Sequence, residues 1–209
     1  MAKIWQSKRL CFRSFTPEDD KFVDALHQDS ASYVHASPFV PAPPHLKVAT
    51  ATRERLEKAL LGVVVCLPAS KTDASDPEPK AKDGENKATP IGLMMLKGDE
   101  EGMTHHRVGH FGIWISSSHQ GQGYGTESIL WMLRWAFRMA NLHRVDLEAY
   151  ATNGAAIRLY EKVGFRIEGR KREALWFDGE YHDEVGMGIL EREWRERYGD
   201  GVLEGGRSS

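Results

Sequence analysis

The sequence predicts a mixed α/β fold, in which a central twisted mixed β-sheet is flanked by helices. Strands and amphipathic helices alternate as βαβαβ over residues 107–169, an order that favours parallel pairing through helical crossovers. An Asp178-Gly179 hairpin signal follows, so the sheet should end with antiparallel strands. The chain has 209 residues, of which 41% are hydrophobic and 28% charged, and this suits one folded domain, placed at residues 1–198.

The N-terminal part predicts one strand and two helices. Residues 10–15 alternate apolar and polar side chains, which is typical of a half-buried strand. Thr16 and Pro17 supply an N-cap and a first-turn proline for the helix that follows. The prolines within residues 37–44 interrupt regular structure in a stretch that can line a substrate entrance, and a second helix is predicted over residues 48–61.

Two β-branched apolar runs, at residues 62–67 and 91–97, predict the next two strands. Residues 68–90 are rich in Lys, Asp, Glu, Ser and Pro, and this composition cannot bury enough apolar surface to fold. We expect that segment to be a disordered insert within a hairpin. We expect residues 199–209 to form a flexible C-terminal tail.

The second half of the chain carries the βαβαβ order. A strand over residues 107–115 has apolar side chains on both faces, which indicates a central position in the sheet. Apolar side chains recur at helical spacing over residues 124–139, and a second helix lies between an Asn153 cap and Gly164. The remaining predicted strands are residues 145–150, 165–169 and 185–190.

Charge and cysteine content argue against several classes of protein. The 28 basic and 30 acidic side chains give a net charge of −2, so no general attraction to nucleic acid is expected. Cys11 and Cys66 stand alone in sequence, which argues against a disulfide framework or a metal site. The longest apolar run, residues 60–67, is too short to cross a membrane. We expect a cytoplasmic or nuclear protein, monomeric or homodimeric, without a nucleic-acid or membrane partner.

A glycine-rich segment, residues 120–126, reads Gln-Gly-Gln-Gly-Tyr-Gly-Thr and opens the helix that follows the central strand. The first amides of a helix have no intrahelical acceptors, and glycines let the backbone approach an anion closely. The segment therefore predicts a diphosphate-binding turn. It lacks the Gly-Lys-Ser/Thr ending of a P-loop and the full dinucleotide fingerprint. A tight strand-to-helix turn without a ligand is the alternative.

Gln120, Gly123 and Gly125 resemble the Gln/Arg-x-x-Gly-x-Gly/Ala motif that binds acyl-coenzyme A (acyl-CoA) in the GNAT superfamily of N-acetyltransferases. Residues 153–165, which run from Asn through Tyr to Gly-Phe, look like the second signature of that superfamily. Residues 179–190 are similar to the closing hairpin of its ribosomal-protein and polyamine acetyltransferase branch. The first two motifs follow each other at the separation typical of the superfamily, which argues against coincidence as the cause of the resemblance.

The resemblance covers roughly residues 9–195, and the insert at residues 68–90 departs from it. It implies the GNAT acyl-CoA N-acyltransferase fold, acetyl-CoA as co-substrate and no metal. The acceptor is then a primary amine, on a peptide or protein N-terminus, a polyamine or another small molecule. In this family the central strand is splayed from its neighbour and its backbone binds the pantetheine arm. The implied cofactor-binding residues are Ile113, Trp114, Ile115, Gln120, Gly121, Gln122, Gly123, Tyr124, Gly125, Thr126 and Asn153.

The resemblance also implies two catalytic side chains. Tyr160 matches the family tyrosine that protonates the departing thiolate, and a tyrosine packed in the helix core is the structural alternative. The acceptor ammonium, with a pKa of about 10, must lose a proton before it can attack. Glu148 matches the catalytic glutamate of some N-terminal acetyltransferases, and we expect it to act as base, directly or through water. A solvated strand residue is the alternative for Glu148.

Two other functions fit parts of the sequence. A non-catalytic acyl-CoA sensor or interaction module would share the fold, although the intact Tyr160 and Asn153 count against it. A nucleotide-binding oxidoreductase would use Asp146 as the ribose-binding acid, about twenty residues after the glycines. The sequence lacks the repeated βαβ units that such an oxidoreductase needs.

Overall fold

The computed structural model describes residues 4–37, 39, 47–69 and 87–199. Within them the chain forms seven strands, six α-helices and three short 3-10 turns. The strands are β1 (Cys11–Arg13), β2 (Leu61–Leu67), β3 (Thr89–Gly98), β4 (Val108–Ile115), β5 (Arg144–Tyr150), β6 (Arg166–Phe177) and β7 (Glu180–Leu190). The helices are α1 (Asp20–Gln28), α2 (Ser30–Ala36), α3 (Val48–Lys58), α4 (Tyr124–Arg138), α5 (Gly154–Val163) and α6 (Glu191–Tyr198).

All seven strands belong to one sheet, in the order β1-β2-β3-β4-β5-β7-β6. Neighbouring strands run antiparallel except for β4 and β5, which are parallel. The predicted mixed sheet flanked by helices is thereby confirmed. Because β7 is inserted between β5 and β6, the βαβαβ segment contains one pair of adjacent parallel strands, β4 and β5.

The sheet buries apolar side chains on both faces. Val63 and Val65 of β2 join the larger core, to which α4, α5 and α6 contribute. Val64 and Cys66, which point to the other face, join a second core with α1 and α3. Two-sided burial explains why β2 is a continuous apolar run rather than an alternating one.

The predicted elements are found, with differences in their bounds and one addition. The strand predicted over residues 10–15 spans only Cys11–Arg13, and the strand predicted over residues 185–190 begins at Glu180. The last two residues of the predicted disordered insert already belong to β3, which begins at Thr89.

The helix predicted over residues 48–61 ends at Lys58, because β2 already begins at Leu61. The strand predicted over residues 165–169 begins at Arg166 and extends to Phe177. Helix α2 was not predicted; it follows α1 after a break at Asp29, whose φ of −77° and ψ of 82° are not helical.

The Asp178-Gly179 hairpin forms as predicted. Phe177 pairs with Glu180 across it, and both turn residues have positive φ, 50° for Asp178 and 84° for Gly179. Such a two-residue turn matches the twist of its strands, and glycine adopts positive φ without steric cost.

Parts of two predicted flexible segments lie outside the described residues, namely residues 70–86 of the insert and residues 200–209 of the tail. So do residues 38 and 40–46 of the proline-rich stretch. In the part of the chain that the structure describes, no helix is long and apolar enough to cross a membrane.

Candidate active site

The sheet splits between its two parallel strands. β4 and β5 pair only from Val108–Arg144 to His110–Asp146 within the described residues. Beyond that point β4 continues to Ile115 and remains paired with β3, whereas β5 continues to Tyr150 and remains paired with β7. The far half of β4 therefore presents an open backbone edge to the gap, as the family resemblance implies.

A cavity of about 480 Å³ occupies this gap. Its volume lies in the range of small-molecule sites, and it extends from helix α2 past the end of β4 to the first turns of α4 and α5. Most of the predicted site residues line it: Ile113, Trp114, Ile115, Gln120, Gly121, Gly123, Gly125, Thr126, Asn153 and Tyr160. Three predicted site residues, Gln122, Tyr124 and Glu148, are not part of the lining.

The glycine segment forms the end of the cavity nearest α4. Gly121 and Gly123 have φ values of 72° and 82°, the left-handed region in which a side chain would be strained. The amide of Glu127 donates to the carbonyl of Gly123 at 3.1 Å, so the three preceding amides of α4 have no acceptor within the helix. Open amides at a helix N-terminus, without Cβ atoms in the way, fit the diphosphate of CoA.

Two glutamines of the glycine segment use their side-chain amide nitrogens to hydrogen-bond backbone carbonyls, which stabilises the turn. Nε2 of Gln120 donates to the carbonyl of Ile115 at 2.9 Å, which links the turn to the end of β4. Nε2 of Gln122 donates to the carbonyl of Ser118 at 3.1 Å. Gln120 thus fixes the distance between the open strand edge and the helix N-terminus.

Asn153 caps helix α5 at the opposite side of the cavity. Its Oδ1 accepts the amide of Ala156 at 3.1 Å, and its own amide donates to the carbonyl of Tyr150 at 2.9 Å. These two bonds confirm the predicted cap and join the end of β5 to α5. The helix ends at Gly164, whose φ of 118° also matches the prediction.

Tyr160 lies on α5 and lines the cavity. Its ring meets that of Phe165 edge-on, with centroids 5.8 Å apart, so the ring packs against the core as well. Burial raises the pKa of Tyr160 to about 12. The phenol is therefore protonated at neutral pH, the state that a proton donor requires.

Glu148 lies on β5 but outside the cavity lining. Its side chain is 58% exposed, and one carboxylate oxygen is 2.5 Å from Nζ of Lys171. The same ammonium lies 2.7 Å from Glu184 of β7. Hydrogen bonds from Lys171 to Glu148 and Glu184 raise the pKa of the lysine. A direct contact between Glu148 and a bound amine would require this ion pair to open.

Helix α2 supplies cavity residues that the sequence analysis did not name as site residues. Ser32, His35 and Ala36 line the cavity beside β4, where Nε1 of Trp114 donates to the Ser32 hydroxyl. The one local sequence signal for this helix is Asp29, three residues before Ser32, because aspartate is a common N-terminal capping residue. Its Oδ2 accepts the Ser32 hydroxyl at 2.8 Å.

Asp146, the acid of the oxidoreductase alternative, contacts protein groups instead of the cavity. One carboxylate oxygen is 2.6 Å from Nδ1 of His110, and the other accepts Nε of Arg144 at 3.3 Å. Neither the placement of this carboxylate nor the mostly antiparallel sheet matches a dinucleotide-binding fold. Within the described residues, no cluster of His, Cys, Asp or Glu could hold a metal ion.

Comparison with known proteins gives one family. The family model described as an acetyltransferase (GNAT) domain matches residues 9–166. This range contains β1 to β5, the glycine segment, α4 and α5, and hence the whole cavity lining.

Two curated relatives are spermidine N(1)-acetyltransferases. That of Vibrio cholerae is 36% identical over 92 residues, which is 44% of this chain and 53% of the relative. That of Escherichia coli (strain K12) is 30% identical over 89 residues, 43% of this chain and 48% of the relative. The matched stretch thus spans about half the length of these relatives.

The fold is shared with a solved complex. The crystal structure of the spermidine N-acetyltransferase from Vibrio cholerae in complex with CoA and spermine superposes with a TM-score of 0.66. It covers 89% of this chain and 98% of that one at 24% identity. This likeness therefore concerns the arrangement of the elements.

Proposed function

The chain belongs to the GNAT acetyltransferase family, and from this membership we propose that it transfers the acetyl group of acetyl-CoA to a primary amine. One observation carries the proposal: a single cavity joins an open strand edge, a helix N-terminus with free amides and a half-buried tyrosine. A thioester donor with a diphosphate at its far end can use all three: the helix amides for the diphosphate, the strand edge for the pantetheine arm and the tyrosine beside the thioester sulfur.

The two ends of the donor have separate binding groups. The amides of residues 121–126 would hold the diphosphate, because their partial positive charge complements an anion without a basic side chain. The open edge of β4 at Ile113 and Ile115 would pair with the amides of the pantetheine arm, and Asn153 lies beside it. Acetyl-CoA bound in this way supplies an activated acetyl group in the gap between β4 and β5.

The reaction needs a neutral amine and a proton for the departing thiolate. The amine nitrogen forms a bond to the acetyl carbon while the carbon–sulfur bond breaks. Tyr160 is the group that we assign to protonate the sulfur, since its raised pKa keeps the phenol protonated. Glu148 is the base that we assign to the amine proton, through water, because its carboxylate lies outside the cavity.

The acceptor would enter beside helix α2, which lines the cavity next to Trp114 of β4. The two curated relatives described above are named for spermidine, a polyamine, and this supports a small flexible amine as acceptor. A peptide N-terminus is the second candidate class of acceptor, because the cavity is open to the surface beside helix α2 and a longer chain could extend out of it. We place polyamines first.

Acetylation assays with purified protein test the proposal. Acetyl-CoA is supplied with spermidine, spermine, putrescine or N-terminal peptides, and free thiol and acetylated product are both measured. Turnover of at least one amine that falls in Tyr160→Phe supports the proposal. Tight binding of acetyl-CoA with no amine turned over would favour the non-catalytic sensor instead, and no binding of acetyl-CoA by folded protein would refute both.

A further inference from the structure

The N-terminal segment passes along the glycine turn and binds the first turn of α4. The carboxylate of Glu127 accepts three hydrogen bonds of 2.7 Å, from the Ser7 hydroxyl, the Arg9 amide and Nε of Arg9. Burial acts to raise the pKa of Glu127, but the bonds from Ser7 and Arg9 outweigh it, so the pKa is below its usual range. The carboxylate is ionised at neutral pH.

An ionised carboxylate at this place conflicts with the proposed ligand. Glu127 lies in the first turn of α4, where the free amides attract any nearby anion. An unpaired glutamate there would compete with the diphosphate for the same amides and would repel it. The structure avoids this conflict because Glu127 is held by Ser7 and Arg9.

Arg9 also contacts three consecutive residues of the glycine turn. Its NH1 donates to the carbonyl of Gln122 at 3.0 Å, and its guanidinium carbon lies 4.7 Å from the ring centre of Tyr124. Its NH2 lies 3.2 Å from the place that a Cβ on Gly123 would take. Arg9, Gln122 and Tyr124 are not part of the cavity lining, so Arg9 approaches the turn from the side away from the ligand.

We propose that Arg9 is a positioning residue for the diphosphate half of acetyl-CoA. It neutralises Glu127 and holds the turn in the left-handed conformation that opens its amides, and it does so without touching the ligand. The inference rests on the proposed function, because it concerns the same site. It predicts that Arg9 affects the affinity for donors that carry a diphosphate and leaves donors without one unaffected.

Two acetyl donors test this specifically. S-acetylpantetheine carries the thioester and the pantetheine arm of acetyl-CoA but no diphosphate. In Arg9→Gln we expect the Kd for CoA and the KM for acetyl-CoA to rise about tenfold, the effect of losing roughly one charge-assisted interaction. The kcat with acetyl-CoA and the kcat/KM with S-acetylpantetheine should stay within about twofold of wild type.

The double variant Arg9→Gln/Glu127→Gln distinguishes the loss of charge neutralisation at Glu127 from general damage to the fold. Removal of the carboxylate should restore most of the lost CoA affinity, whereas damage to the fold would be worse in the double variant. Arg13→Gln is the matched control, because Arg13 lies a few residues after Arg9, at the end of β1, and pairs with Asp19 at 2.7 Å, away from the turn. It should lower Tm and leave the ratio of the two donors' kcat/KM values unchanged.

Each outcome has a distinct meaning. If wild-type protein fails to bind CoA, the proposed function is wrong. If wild type binds CoA and Arg9→Gln binds it equally well, the role proposed for Arg9 is refuted. It is also refuted if the kcat/KM values for acetyl-CoA and for S-acetylpantetheine fall by the same factor in Arg9→Gln. Should Arg9→Gln not fold, Arg9→Lys provides the test: it retains the charge, and intermediate CoA affinity with unchanged use of S-acetylpantetheine is expected.

Discussion

The indole Nε1 of Trp114 donates a hydrogen bond of 2.8 Å to the hydroxyl of Ser32. That hydroxyl bonds to Oδ2 of Asp29 at 2.8 Å, and the same carboxylate oxygen accepts the amide of Ser117 at 2.8 Å. One carboxylate therefore joins helix α2, strand β4 and the turn that leads into the glycine segment. The amine end and the CoA end of the proposed site share this support.

Ser32→Ala should weaken acceptor binding more than CoA binding. The change leaves the partly buried indole N–H of Trp114 without its partner, which costs about 1–2 kcal/mol. We expect this cost to appear as a lower Tm, and the KM for the acceptor to rise several-fold because α2 is held less firmly beside the cavity. Ser30→Ala on the exposed side of the same helix is the control. Equal acceptor KM values in all three proteins would contradict this role.

Tyr160→Phe should lower kcat about 100-fold, in the range of general acid catalysis, with little change in the Kd for acetyl-CoA. Because burial raises the pKa of Tyr160 to about 12, wild-type kcat should not fall through loss of the phenolic proton before the pH approaches that value. It should instead rise as the acceptor amine, with a pKa of about 10, is deprotonated.

The pH profile of the variant provides the check for Tyr160. The same rise with pH, at a lower plateau, is expected in Tyr160→Phe. A wild-type decline with a midpoint near pH 8 or 9 that disappears in the variant would show that the phenol is not held protonated by burial.

Gly123→Ala should weaken CoA binding about tenfold. Gly123 has a φ of 82°, and a residue with a Cβ in that region costs roughly 1–2 kcal/mol. The turn should relax and its amides should lose their alignment with the diphosphate. Calorimetry with CoA measures the effect. Gly169→Ala, on β6, where an added Cβ meets nothing within 4 Å, should bind CoA as wild type does.

Glu148→Gln tests the proposed base. Loss of a general base should reduce kcat about 100-fold at neutral pH. Stability should hardly change, because the side chain is 58% exposed and an exposed ion pair with Lys171 contributes little. Glu180→Gln, an exposed acid at the start of β7, serves as control. A kcat equal to that of wild type would remove Glu148 from the mechanism and leave proton removal to water.

The elements predicted best are those whose signals are local. The cap of α5 by Asn153 and its end at Gly164 depend on groups within one helix, and the Asp178-Gly179 turn depends on two residues. The same holds for the left-handed glycines before α4. For this reason the helix boundaries of the proposed CoA site agree with the prediction almost residue for residue.

The support of the site depends on contacts between distant parts of the chain. Arg9 reaches Glu127 across 118 positions, and Trp114 reaches Ser32 across 82. Helix α2 has a weak local signal, and its packing against β4 places it at the cavity. The exposed position of Glu148 beside Lys171 likewise follows from the β5-β7-β6 strand order, which periodicity does not encode.

By itself, the sequence determined the fold class, the family and the position of the glycine turn, because backbone geometry and hydrogen bonding within a few residues fix such features. The tertiary structure decided where β4 and β5 separate, which side chains line the resulting gap and which ones hold the turn from behind. Those features arise from burial and charge pairing between segments that meet only after folding, and no local pattern carries that information.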